Sequence, residues 1–142
     1  MNTLQILTLL IKQFEGCSLK AYFCPAKVLT IGWGQTHGVK EGMFWTQEQA
    51  DEDLLKEATA CIGQALKASP VLTGESPKRQ AAIADFIYNC GITNYNSSTL
   101  KKKVDAKDWP NAINEIKKWN KGGGKVLKGL VKRRAKEAEL LL

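Results

Sequence analysis

The feature that most constrains this chain is the abrupt loss of helical period at Gly16. Before it, Leu4, Leu7, Leu10, Ile11 and Phe14 recur at three- and four-residue steps, the stripe of an amphipathic helix capped by Asn2 or Thr3. After it, from Ser18 to about Trp45, two short extended pieces (19–23 and 28–33) are broken by Pro25, Gly32, Gly34, Gly38 and Gly42. Turns this close together between β-rich runs predict a small, twisted antiparallel sheet. From Thr46 onward only helical patterns return. One helix, a short sheet and then helices alone make a mostly helical α+β chain with its sheet near the N-terminus.

The later helices carry their own punctuation. Thr46 with Gln49 forms a capping-box pattern, followed by an apolar stripe of Ala50, Leu54, Ala58, Cys61, Ile62 and Ala65. Residues 69–77 read as a loop, and Ser76-Pro77 as a helix start whose helix runs to Gly91. Three shorter helices are expected near 98–104, 109–119 (capped by Asp108) and 130–142, with the triple glycine at 122–124 as a flexible turn.

With 142 residues the chain suffices for one domain with a real core. No apolar run approaches the ~20 residues needed to span a bilayer. The first 14 residues, interrupted by Gln5, Lys12 and Gln13, do not form a signal-peptide core. Cys17, Cys24, Cys61 and Cys90 make no CxxC pair, and with His37 the only histidine no metal site is expected. They read as reduced thiols, Cys61 and Cys90 as core filler.

Charge is uneven. Residues 101–142 hold 13 Lys/Arg against 5 Asp/Glu, while the first 100 are nearly balanced, so the net +7 lies at the C-terminal end. A basic face suits an anionic polymer or membrane and does not by itself choose between nucleic acid and cell-envelope polymers. The absence of interleaved exposed aromatics or a recognised motif argues against nucleic acid.

The chemistry-bearing stretch is EGCSLKAYFCPAKVLTIGWGQT, residues 15–36. Glu15 ends a helix, where the negative end of the dipole disfavours the ionised carboxyl. Desolvation would strengthen that effect and allow Glu15 to donate a proton, as glycoside hydrolysis requires on the leaving-group side. The alternative is an exposed last-turn glutamate with no role.

Residues 10–33 resemble the active-site signature of the phage lysozymes, glycoside hydrolase family 24: Glu-Gly, an acidic residue nine positions on, then Thr-Ile-Gly six further. Glu15, Thr30, Ile31 and Gly32 match it. Residues 86–100 (FIYNCGITNYNSSTL) and 119–134, with Gly129-Leu130-Val131 and Arg133-Arg134, resemble downstream signatures of the family's lambdoid-prophage branch.

The resemblance implies one catalytic domain over 1–142: a sheet lobe (about 16–46), a connecting helix (about 46–68), and a helical lobe (about 69–142, with the N-terminal helix). It implies hydrolysis, with inversion, of the β-1,4 bond between N-acetylmuramic acid and N-acetylglucosamine. Glu15 would be the acid, and Thr30 would hold water on the opposite face of the sugar. Tyr88, Asn89, Ser98 and Thr99 would contact substrate. No cofactor is implied.

At position 24 the family has aspartate and this chain has Cys24. Cys24 either replaces aspartate as a third catalytic residue, is a spectator, or marks lost activity. The family's histidine after Gly-x-Gly is Gln35 here, and His37 reads as a loop residue. Arg133 and Arg134 read as solvated charge, or as partners of Glu15 or the glycan. Trp33, Trp45, Trp109 and Trp119 read as core, with stacking on sugars the alternative.

The expected partner is the peptidoglycan glycan strand, bound by a monomer. The basic, amphipathic C-terminal helix is a candidate for weak membrane contact. By analogy the protein waits in the host cytoplasm until lysis and then attacks the wall in the periplasm. The competing readings are a non-catalytic peptidoglycan-binding domain and a nucleic-acid-binding domain.

Overall fold

The computed structural model describes residues 1–142. Helix α1 (Thr3–Glu15) starts at Asn2, whose side chain accepts from Gln5 N–H while the Gln5 side chain accepts from Asn2 N–H. It buries Ile6, Leu7, Leu10 and Ile11 and gives way at Gly16. Strands β1 (Ser18–Phe23) and β2 (Leu29–Gly32) pair antiparallel, with an irregularity between Ser18 and Tyr22. Their connection closes with Lys27 N–H donating to the Cys24 carbonyl and Cys24 N–H donating to Val28. The segment before Thr46 lies along β1, with Ala21 N–H bonded to Met43 and Trp45 N–H to Leu19.

Thr46 then caps α2 (Gln47–Ala68), with the capping box completed by Gln49. Ala50, Leu54, Ala58, Cys61 and Ala65 are buried at three- and four-residue steps, the stripe the sequence predicts. The expected loop after α2 contains a 3-10 turn (Pro70–Gly74), because Ser69 accepts from Leu72 N–H and Leu72 from Glu75 N–H.

Ser76 and Pro77 start α3 (Pro77–Cys90), the central helix, which packs against α1, α2 and α7. Residues 81–87 are all buried, and three of them are alanines, which lets neighbouring helices approach closely. Each fully buried Leu, Ile or Phe here contributes roughly 1.5–3 kcal/mol relative to exposure.

A short helix that the sequence reading missed, α4 (Ile92–Ser97), precedes α5 (Thr99–Asp105) and α6 (Trp109–Ile116). The triple glycine is an ordered hairpin rather than a flexible turn. Strands β3 (Lys121–Gly122) and β4 (Lys125–Val126) pair around Gly123 and Gly124, both at positive φ, as a two-residue hairpin requires. The last helix, α7 (Lys128–Leu141), starts two residues earlier than expected. No helix is long and apolar enough to cross a membrane.

Candidate active site

Glu15 stands where α1 ends, and three elements meet its carboxyl. From α7, Arg133 Nη1 donates to Oε2 at 2.6 Å. From the loop after β2, Gly34 (φ +95°) passes so close that an added Cβ would lie 2.8 Å from Oε1. From α3, Tyr88 lies near enough for the Glu15 charge to reinforce burial in pushing its phenol pKa upward. One oxygen of Glu15 is thus fixed by a guanidinium, and the other faces Gly34.

Gly34 also lines an open groove of about 420 Å³ running between the loop after β2 and helices α2–α4. Gln35, Glu57, Cys61, Tyr88 and Thr93 are among its walls. Tyr88 bridges the two sides, donating its hydroxyl proton to the Trp33 carbonyl at 2.6 Å.

Gln35, at the family's histidine position, is a hub. Its amide nitrogen donates to Asp53 and Glu57 on α2, and its oxygen accepts from the N–H groups of Thr36 and His37. His37 is exposed, consistent with a loop role. Burial raises the Asp53 carboxyl, with Glu57 adding to it against the Gln35 hydrogen bond.

The hairpin carries the other two residues. Thr30 is buried and donates to the Val28 carbonyl at 3.0 Å. Cys24 is half-buried, and its thiol pKa is lowered by hydrogen bonds from the Val28 backbone first, then Ala26 and the Thr30 side chain, against a smaller opposing effect of burial. Cys24 and Thr30 are therefore neighbours. All four cysteines are free.

Arg133 and Arg134 require correction. Solvated charge was one expectation, yet both are buried. Besides gripping Glu15, Arg133 donates through Nε and Nη2 to the two oxygens of Asp85 at 2.9 and 2.8 Å. Arg134 pairs with Glu137 and donates to Cys90 Sγ. Cys90 is thus half-buried, packed against the core as expected and also beside a guanidinium.

Ser98 is buried; it caps α5 by accepting from Lys101 N–H, and it donates to the Tyr95 carbonyl, so its hydroxyl is engaged inside the fold. Thr99 is exposed at the first position of α5, away from the groove walls. Asn89 is half-buried and lines a second cavity, beyond the C-terminal end of α3. The four tryptophans are partly rather than fully buried; Trp33 donates its ring N–H to Asp51.

The sequence reading did not find Gly34, Asp85, Glu137 or the Gln35 hub. Asp85 carried the one available signal: an acidic residue inside the apolar run Ala-Ala-Ile-Ala-Asp-Phe-Ile.

The family model described as phage lysozyme matches residues 12–137. An endolysin of Acyrthosiphon pisum secondary endosymbiont phage 1 is 39% identical over 135 residues, covering 92% of this chain and 91% of the relative. A SAR-endolysin of Haemophilus phage HP1 (strain HP1c1) is 36% identical over 147 residues, covering 94% and 77%. Among solved structures, the endolysin from Escherichia coli O157:H7 phage FAHEc1 superposes with a TM-score of 0.85 at 32% identity, covering 100% of this chain and 94% of that one. The muramidase domain of SpmX from Asticaccaulis excentricus gives 0.83 at 28% identity, covering 96% and 94%.

Proposed function

The chain belongs to the phage lysozyme family, and on that premise we propose how its residues divide the work of hydrolysing peptidoglycan. It is a glycoside hydrolase, a muramidase that cuts the β-1,4 bond between N-acetylmuramic acid and N-acetylglucosamine. The observation that carries the assignment is the Glu15 carboxyl, held by Arg133 through Oε2 with Oε1 left at Gly34, on the groove wall.

Glu15 is the general acid. It protonates the glycosidic oxygen as positive charge builds on the sugar. Thr30 and Cys24, adjacent on the hairpin, hold the attacking water on the opposite face, giving inversion. Cys24 takes the place of the family's aspartate, and the donors around it favour the thiolate that this role needs. Tyr88 and Asn89 contact the glycan. The Tyr88 proton is committed to Trp33, so its oxygen remains an acceptor for a sugar hydroxyl.

The whole of 1–142 acts as one monomeric catalytic domain. It is held in the host cytoplasm until lysis and then acts on the wall in the periplasm. The exposed Val126, Leu127 and Val131, among Lys121, Lys125, Lys128 and Lys132, which make no ion pair, support weak contact with anionic membrane.

The test is clearing of purified Gram-negative sacculi by wild type and Glu15→Gln. Wild type should release fragments ending in reducing N-acetylmuramic acid and the variant none. Equal clearing by both would remove Glu15 from the mechanism.

A further inference from the structure

Behind Glu15 lies a buried cluster that the family signature does not explain. Two guanidiniums (Arg133, Arg134) meet three carboxyls (Glu15, Asp85, Glu137). Asp85, Arg134 and Glu137 have no exposed surface, and the Arg133 side chain only 4%. Glu15 stands at the edge of this cluster, its side chain 21% exposed, and the other four groups are buried. Burial, then the hydrogen bond with Asp85, raises Glu137 well above the ordinary carboxyl range. Burial also opposes ionisation of Asp85, but its bonds to Arg133 win and keep its carboxyl below the usual range.

The geometry then assigns Asp85 a task. Its two oxygens take Nε and Nη2 of Arg133, which leaves Nη1 aimed at one oxygen of Glu15, 118 residues away in sequence. A guanidinium bound in this two-point fashion cannot rotate, because its donors form a rigid fork. We propose that Asp85 is a positioning residue for Glu15: by holding Arg133 at two points, it decides which carboxyl oxygen is tied back and which is presented to the glycan.

This inference rests on Glu15 being the general acid, so the experiment carries both tests. Rates are measured on soluble, uncross-linked glycan strands for wild type, Glu15→Gln, Asp85→Asn and Arg133→Lys, with folding checked by thermal melting. Asn at 85 keeps the shape but loses the charge and one acceptor.

For Asp85→Asn the expected result is a kcat lowered about 10- to 100-fold with KM within about twofold, since misplacement of a reacting group by even 1 Å has effects of this size. The titratable groups facing this pair are Tyr88 and Cys90 on α3 and Arg134 and Glu137 on α7, and Asp85 acts on Cys90 and Glu137 as well, so the split between kcat and KM is the readout of positioning. A purely structural Asp85 would lower the melting temperature without lowering kcat per folded molecule.

If Asp85→Asn does not fold, Arg133→Lys reads the same geometry. It keeps a charge beside Glu15 without the fork, and it must lose kcat with KM retained. A folded Asp85→Asn, or in its place a folded Arg133→Lys, with wild-type kcat overturns the proposal. If Glu15→Gln is itself as active as wild type, it is the assignment of Glu15 that fails.

Discussion

Gly34→Ala isolates the contact between the loop and the acid. At φ +95° a side chain is strained wherever it points, at a cost of about 1–2 kcal/mol. The new Cβ would also sit 2.8 Å from Glu15 Oε1, where ordinary contact begins at 3.4 Å, so the carboxyl must retreat by about 0.6 Å. A shift of this order in a proton donor lowers kcat about 10- to 100-fold.

Gly38→Ala is the matched control. It has φ +68° and nothing within 4 Å of the new methyl, so it carries the same kind of backbone strain without the collision. Both variants should melt about 3–8 °C below wild type. In the sacculus-clearing assay, run well below either melting point, only Gly34→Ala should lose activity. Equal, near-wild-type rates for both would show that the position of Glu15 against Gly34 has no bearing on turnover.

Other consequences are independent of that loop. Cys24→Ala should abolish most clearing and Cys24→Asp should retain it; an alanine variant as fast as wild type would make Cys24 a spectator. Tyr95→Phe strands the buried Ser69 hydroxyl, its 2.7 Å partner, and should cost about 1–3 kcal/mol in urea denaturation, with no change in turnover per folded molecule. Burial pushes the Cys61 thiol up to about 12, with Glu57 and Asp85 adding to it. The unfolded chain then ionises this thiol first, so its stabilising effect is complete below about pH 9 and is lost as pH rises towards 12. Cys61→Ala should have a shallower loss of stability with pH over that window, read from denaturation midpoints; an unchanged slope would contradict the burial of the thiol.

What the sequence made legible was local. The stripe of α1, the cap at Asn2 or Thr3, the capping box at Thr46, and Ser76-Pro77 are signals written within a few residues, and helices do start at Asn2, Thr46 and Ser76. Glu15 was legible because a helix end and a signature coincide there.

The illegible parts are contacts across long separations. Nothing around Arg133 announces that its guanidinium is buried against Asp85, since a Lys/Arg-rich helix start ordinarily lies in water. The close approach of Gly34 to Glu15 depends on how the loop after β2 folds back, with Ile31 and Gln35 bonded to each other through both backbone groups. Helix α4 escaped because Ile-Thr-Asn-Tyr-Asn-Ser carries poor helix formers and is held by tertiary packing of Tyr95. The hairpin at Gly123-Gly124 was read as flexible because glycine marks both loose linkers and two-residue turns.

The central claim, that Glu15 supplies a proton to the leaving group, is tested most directly by separating that step from the rest of catalysis. Glu15→Gln and wild type are compared on natural glycan strands and on a muropeptide oligosaccharide ending in dinitrophenolate, a leaving group that needs no proton. Loss of a general acid predicts a fall of about 10²- to 10⁴-fold on the natural linkage and a far smaller one on the dinitrophenyl glycoside. An equal fall on both substrates would contradict the account, since it would mean that Glu15 shapes the site without donating a proton.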